Sequence, residues 1–178
     1  LAESTGGSIS CPAAFTGTVG LTPTYGLVSR WGLVDYANSL DKIGVIAKTV
    51  YDAALMLSVI AGNDSKDSTS LNVTQQDYTK YLKGNIKGMK IGVPKEYFEN
   101  IDEKVAKVIW DAIKKLEDEG ATYKEVSLPH NRYALPSYYI IAVSEASTNL
   151  AKYAGMRYGL HQALRGILTN TFPLSGAT

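Results

Sequence analysis

Residues 89–128 alternate between short apolar runs and one long amphipathic stretch, and that pattern restricts the fold more than any other feature of the chain. Residues 89–93 (MKIGV) read as a buried strand, which Pro94 stops because it removes a backbone donor and restricts its neighbour. From Asp102 to Glu119 the apolar residues Val105, Val108, Ile109, Ala112, Ile113 and Leu116 recur on one helical stripe, and Gly120 is suited to end the helix. Residues 122–128 then return to a strand pattern. Neighbouring parallel strands need a crossover between them, and such crossovers are right-handed. The expected class is therefore α/β, with a mixed, mainly parallel sheet covered by helices.

Other segments are assigned the same way. Residues 49–61 predict a helix, because Thr49 and Asp52 have capping-box spacing and Ala53, Leu57 and Ile60 share a face. Residues 137–154 predict a second helix, carrying SYYIIAVSEAS. Residues 1–47 are rich in Gly, Ser and Thr, with short β-prone pieces such as 26–31, and read as a wrapped loop plus strands. Residues 63–70 read as a polar loop and 77–82 as the opening of a surface segment. No internal repeat interrupts this order.

Composition narrows the function. A chain of 178 residues, 45% hydrophobic and 20% charged, has the apolar material of one domain or a large part of one. Its net charge of +1 includes no basic block able to neutralise a phosphate backbone, so strong autonomous nucleic-acid binding is not expected. One cysteine, Cys11, leaves no internal disulfide and fits a reducing compartment; it reads as a small buried apolar residue. No apolar run approaches the ~18 residues of a membrane span, and His130 and His161 have no metal-ligand spacing.

The chemistry concentrates at Thr5-Gly6-Gly7-Ser8. Glycine tolerates positive φ and removes the Cβ that blocks a ligand. The N–H groups there can converge on an oxyanion while the Ser8 hydroxyl faces a substrate. By itself T-G-G-S is a common turn. In context it extends into STGGSISCPA (4–13), GTVGLTPTYG (17–26) and SLDKIGV (39–45), followed by DSTS, KIGVPKEYF, VSLPH and YALPSYYIIAVSEASTNLAKY.

These blocks resemble the amidase signature family and, within it, the glutamine-hydrolysing A subunits of aminoacyl-tRNA amidotransferases. The resemblance covers Leu1 to about Gly159. It implies an amidase signature fold, with residues 1–178 forming part of a single domain. It also implies Ser8 as acyl-ester nucleophile, Thr5, Gly6 and Gly7 as backbone donors to the oxyanion, and Tyr138 as a glutamine contact. Arg165 is a weaker carry-over for the substrate carboxylate, with a surface arginine as the alternative.

The family base is a lysine relayed by a second serine on a cis peptide. Both lie upstream of the nucleophile in relatives and match no residue here. Lys42 and Lys48 read as solvated surface charges. A chain that lacks an initial Met and opens on its nucleophile motif is expected to be a fragment, inactive alone.

The family further implies a B subunit that holds tRNA, ATP and Mg²⁺, a small C subunit, a cytoplasmic setting, and no metal or cofactor in this chain. Departures from the family pattern are Ser4 for Asp, Ser10 for Arg, Thr22 for Lys and Val45 for Pro. Two hydroxyls in place of an Asp–Arg pair preserve neutrality, but the change also fits a decayed site. Two alternatives therefore stay open: another amidase of this superfamily acting on small amides, and an inactive scaffold.

Overall fold

The computed structural model of the chain describes residues 1–153. Its elements in order are β1 (Ala2–Ser4), α1 (Ser10–Thr16), β2 (Val19–Leu21), β3 (Lys42–Ala47), α2 (Val50–Ile60), β4 (Lys90–Pro94), α3 (Glu103–Asp118), β5 (Thr122–Val126) and α4 (Ala134–Ala151). Short 3₁₀ turns occupy Tyr78–Lys83, Lys95–Phe98 and Asn131–Tyr133.

The strand–helix–strand unit forms, but β4 is not the buried strand expected of residues 89–93: only Val93 is buried in it, because the described residues cover little of this sheet. β4 and β5 pair in parallel, Lys90 opposite Thr122 through Pro94 opposite Val126, with α3 as their crossover. Asp102 caps α3 by accepting from the N–H groups of Lys104 (2.8 Å) and Val105 (3.3 Å). Gly120 ends it at φ 94°, a left-handed conformation that favours glycine. The apolar stripe of α3 is only partly covered, however: Ile113 is buried, while Val105 and Val108 face solvent. Trp110 packs between Phe98 and Tyr123, at centroid distances of 5.0 and 5.6 Å.

The N-terminal strands form a second sheet of order β1-β3-β2, in which β3 runs antiparallel to both neighbours. The mixed α/β class holds, but among the described residues the expected parallel pairing is confined to β4 and β5. β1 and β2, joined by α1, point the same way and flank β3 instead of pairing with each other. Gly44 and Val45, in the middle of β3, are both buried.

Helix α2 follows at once. The Thr49 hydroxyl oxygen accepts from the Asp52 N–H (3.1 Å), and the hydroxyl donates to the Asp52 carboxylate (2.8 Å). Ala53 and Leu57 are buried, and Leu57 forms the main core cluster with Val28 and Ala61.

Residues 26–31 do not form the β-prone piece expected of them. Only Val28 makes a ladder contact, an isolated bridge to Ala61. The polar groups of this stretch are satisfied by the 62–71 loop instead. Arg30 N–H donates to Asp67 (2.8 Å), Ser29 to Asp64 (2.7 Å), and Leu71 N–H to the Gly26 carbonyl (2.8 Å). The Arg30 guanidinium stacks over Tyr25 at 5.0 Å and donates to Thr69 (2.9 Å) and to the Asn38 carbonyl (2.5 Å). Backbone groups used this way are not free for a sheet.

Candidate active site

Ser8 stands exposed in the turn between β1 and α1. Its neighbour Ile9 anchors it, fully buried beneath the sheet. A Cβ placed on Gly44 would lie 2.7 Å from Ile9 Cδ1 and 2.3 Å from the Leu21 carbonyl oxygen, so a glycine is required for α1 to lie this close to β3. Ala13, one turn on, is buried on the same face.

That orientation overturns one expectation. Cys11 is two residues from each anchor, about 200° around the helix, and it is exposed, not buried. It lines an open cavity of about 860 Å³ together with Thr5, Gly6, Gly7, Ser8 and Pro12. The opposite wall comes from the first turns of α4, through Ala134, Leu135, Tyr138 and Tyr139. The N–H groups of Gly6, Gly7 and Ser8 have no hydrogen-bond partner among the described residues, and the Ser8 hydroxyl has none either.

Tyr138 closes against this turn. A Cβ on Gly6 would meet the phenol ring at 2.5 Å and its hydroxyl oxygen at 2.8 Å, so Gly6 is demanded by space and not by its φ. Burial pushes the Tyr138 phenol up from its ordinary value, reinforced by Tyr36, Tyr139, Asp41 and Glu3 nearby. The hydroxyl is therefore neutral at pH 7 and available as a donor.

On the other side of the turn lies Asp41, which is 1% exposed. Its Oδ1 is 2.7 Å from Thr5 Oγ1, and its Oδ2 accepts from the N–H groups of Tyr36 and Ala37, both at 2.9 Å. Thr5 Oγ1 also lies 2.9 Å from Glu3 Oε1, so one hydroxyl proton faces two carboxylates.

The loop carrying Asp41 is clamped to α4. Glu145 accepts from the Ser39 N–H (3.0 Å) and from the Ser39 hydroxyl, and these bonds hold its carboxyl below the usual range. Asn149 donates to the Tyr36 carbonyl (3.1 Å) and accepts from Asn38 (3.2 Å), and Lys152 pairs with Asp35.

The remaining sequence-derived positions separate. Thr5, Gly6, Gly7, Ser8 and Tyr138 meet in one cavity, whereas Arg165 and His161 lie outside the described residues. Lys48 is exposed, but Lys42 is half-buried with its ammonium donating to the Leu40 carbonyl, which corrects its reading as a solvated charge. Ser4 is buried while Ser10 is exposed, its hydroxyl reaching the Gly7 carbonyl only at 3.4 Å. No hydrogen bond joins these two serines, so they do not act as a bonded replacement for a charge pair.

Among the described residues no group of three His, Cys, Asp or Glu could hold a metal ion, and no helix is long and apolar enough to cross a membrane. The sequence reading missed Asp41, although it lies inside the SLDKIGV block. A carboxylate set between a tight loop and an apolar strand has to be satisfied internally, and that was the available signal.

A serine on an exposed turn, the two glycines before it and an aromatic wall opposite thus share one cavity. The chain belongs to the amidase family, whose model (described as Amidase) matches residues 1–174. It is 62% identical over 160 residues to the A subunit of glutamyl-tRNA(Gln) amidotransferase from Carboxydothermus hydrogenoformans, a match covering 89% of this chain and 33% of that protein. In structure it is similar to the A subunit of the glutamyl-tRNA(Gln) amidotransferase from Thermotoga maritima, with a TM-score of 0.79 and 45% identity, covering 84% of this chain and 33% of the other. It is also similar to the peptide amidase of Stenotrophomonas maltophilia, with a TM-score of 0.74 and 33% identity over 85% of this chain and 32% of the other. The chain thus spans about a third of the length of these relatives.

Proposed function

We propose that this chain is the nucleophile-bearing part of a glutamine-hydrolysing amidotransferase, within its A subunit, and that it supplies ammonia for amidation of Glu-tRNA(Gln) or Asp-tRNA(Asn). The observation that carries this reading is Ser8, exposed in the cavity beside Gly6 and Gly7 and faced by Tyr138. The blocks shared with the amidotransferase relatives select glutamine among amides.

Ser8 Oγ attacks the side-chain amide carbon of glutamine, and its proton leaves to a base. In the family this base is a lysine relayed by a second serine on a cis peptide, upstream of this segment. The tetrahedral oxygen takes hydrogen bonds from N–H groups of the Thr5–Ser8 turn, where losing one donor costs about 3–4 kcal/mol of transition-state stabilisation. Collapse expels ammonia, which carries off the returned proton and leaves a γ-glutamyl ester on Ser8. Water cleaves that ester to glutamate, and the proton returns to Ser8. Tyr138 contacts the glutamine, and Arg165 is the candidate partner of its α-carboxylate. ATP, Mg²⁺ and the aminoacyl-tRNA are placed at a B subunit, with a C subunit completing a cytoplasmic complex.

The test is ammonia release by the full-length protein with its partner subunits, using glutamine and a simple aliphatic amide. Turnover of glutamine, lost in Ser8→Ala, is expected. Turnover of the aliphatic amide alone assigns the protein to the general amidases, the reading that the peptide amidase likeness favours. A Ser8→Ala protein as fast as the wild type removes Ser8 from the chemistry.

A further inference from the structure

The turn 5–8 has an anchoring problem that its own residues pose. β1 ends at Ser4 and the buried anchor Ile9 follows Ser8, so the ladder holds one end and the core the other. Between them Gly6 and Gly7 have no side chains, and Ser8 is committed to the cavity. Among the described residues Thr5 alone supplies a side-chain tether from within the turn, and its hydroxyl reaches the buried Asp41 (2.7 Å) and, closer in sequence, Glu3 (2.9 Å).

Asp41 is a firm post. It is buried, and its second oxygen accepts two backbone N–H groups of its own loop. That loop is in turn bound to α4 through Glu145, Asn149 and Lys152, and α4 carries Tyr138 onto Gly6. One carboxylate therefore connects the turn that forms one wall of the cavity to the helix that forms the other.

We propose that Asp41 is a positioning residue for the reaction at Ser8, holding the Thr5 hydroxyl and so the aim of the oxyanion donors in the Thr5–Ser8 turn. The inference rests on the function proposed above. A backbone turn that drifts while still binding substrate loses stabilisation of the transition state and not of the ground state.

The experiment compares Thr5→Val, which keeps the branched shape and removes the hydroxyl, with Thr5→Ser, which keeps the hydroxyl. Wild type and Ser8→Ala of the full-length complex run beside them, with ammonia release from glutamine as readout. Thr5→Val is expected to lower kcat about 10- to 100-fold, because small misplacements of catalytic groups cost this much, with KM changed by less than about twofold. Thr5→Ser restores kcat. Asp41→Ala, which removes the acceptor altogether, follows Thr5→Val, and the double variant is no slower than the slower single one, as a shared interaction requires. Asp41→Ala could fail to fold; Glu3→Gln, which leaves Asp41 as the Thr5 acceptor, then separates the two carboxylates: it keeps wild-type kcat, and a Glu3→Gln protein as slow as Thr5→Val overturns the inference.

A Thr5→Val protein with wild-type kcat, a defect confined to KM, or a Thr5→Ser protein as slow as Thr5→Val overturns the inference and leaves the function standing. A wild type that releases no ammonia, or a Ser8→Ala protein that still does so, overturns both.

Discussion

At the scale of single residues, Gly6 is where packing and chemistry press hardest on each other. A methyl group there would sit 2.5 Å from the far end of the Tyr138 ring, which has to shift to admit it. Gly6→Ala is expected to destabilise the protein by about 1–3 kcal/mol, the usual cost of overpacking. Adding Tyr138→Ala should return part of that cost, because the two changes share one contact. Denaturant midpoints of the single and double variants measure this, and strict additivity would rule out the contact. Glu3 makes the opposite case. Its carboxylate competes with Asp41 for the single Thr5 proton. Glu3→Gln converts the competitor to a donor, so all three groups can be satisfied, and a gain of about 0.5–1.5 kcal/mol in unfolding free energy is expected. The family resemblance already marked Ser8, the paired glycines and Tyr138, and the structure lines one cavity with all of them. The sequence did not mark Cys11 as exposed, since which way α1 faces is decided by Ile9 and Ala13 docking on a sheet whose strands lie up to 38 positions further along the chain. Asp41 stayed hidden for the same reason: its partner Thr5 is 36 residues away.

At the scale of elements, local signals were reliable and long-range ones were not. The helix α2 was legible from the capping spacing of Thr49 and Asp52, and α3 from its apolar stripe and Gly120; Asp102, which caps α3, adds a local signal of the same kind. Residues 26–31 had strand-like composition, yet the carboxylates of Asp64 and Asp67 claimed their polar groups, a choice no local window contains. The attachment of α4 to the 35–41 loop is of this second kind, and it titrates. Bonds from the Ser39 hydroxyl and N–H depress the Glu145 pKa in the folded state. A depressed carboxyl contributes stability that is present above its unfolded value and lost as pH falls through the folded one. Wild-type thermal stability should therefore drop below the ordinary carboxylate range more steeply than that of Glu145→Gln, while the variant is the weaker of the two at pH 7. Parallel melting curves from pH 7 to pH 3 test the sign, and curves offset by a constant would remove Glu145 from the linkage.

At the scale of the whole molecule, the helices carry more apolar surface than the described residues cover. α2 presents Val50, Tyr51, Leu55 and Val59 to solvent although its other side is packed on the core. α4 buries only Ala142 and Ala146 while exposing Tyr139, Ile140, Val143 and Leu150. A helix apolar around its full circumference is one that is buried on all sides, and exposed patches of this kind drive association. The chain spans about a third of the relatives' length, and burial of both helices in a longer chain is the expectation to be tested. Residues 1–178 produced by themselves should bind a hydrophobic dye and sediment as concentration-dependent oligomers. The full-length protein should show neither behaviour at the same molar concentration. A monodisperse, dye-silent 178-residue monomer would mean that α2 and α4 are solvated faces after all. The cavity at Ser8 would then have to be judged with α4 as an independent wall, not as one side of a larger core. That second outcome also bears on the chemistry, because an oxyanion turn gains most from its N–H groups where water is excluded. With α4 left wet on its outer face, Ala134, Leu135, Tyr138 and Tyr139 would be the screen that α4 gives Ser8 against solvent, whereas a covered α4 makes the same cavity a dry, preorganised pocket.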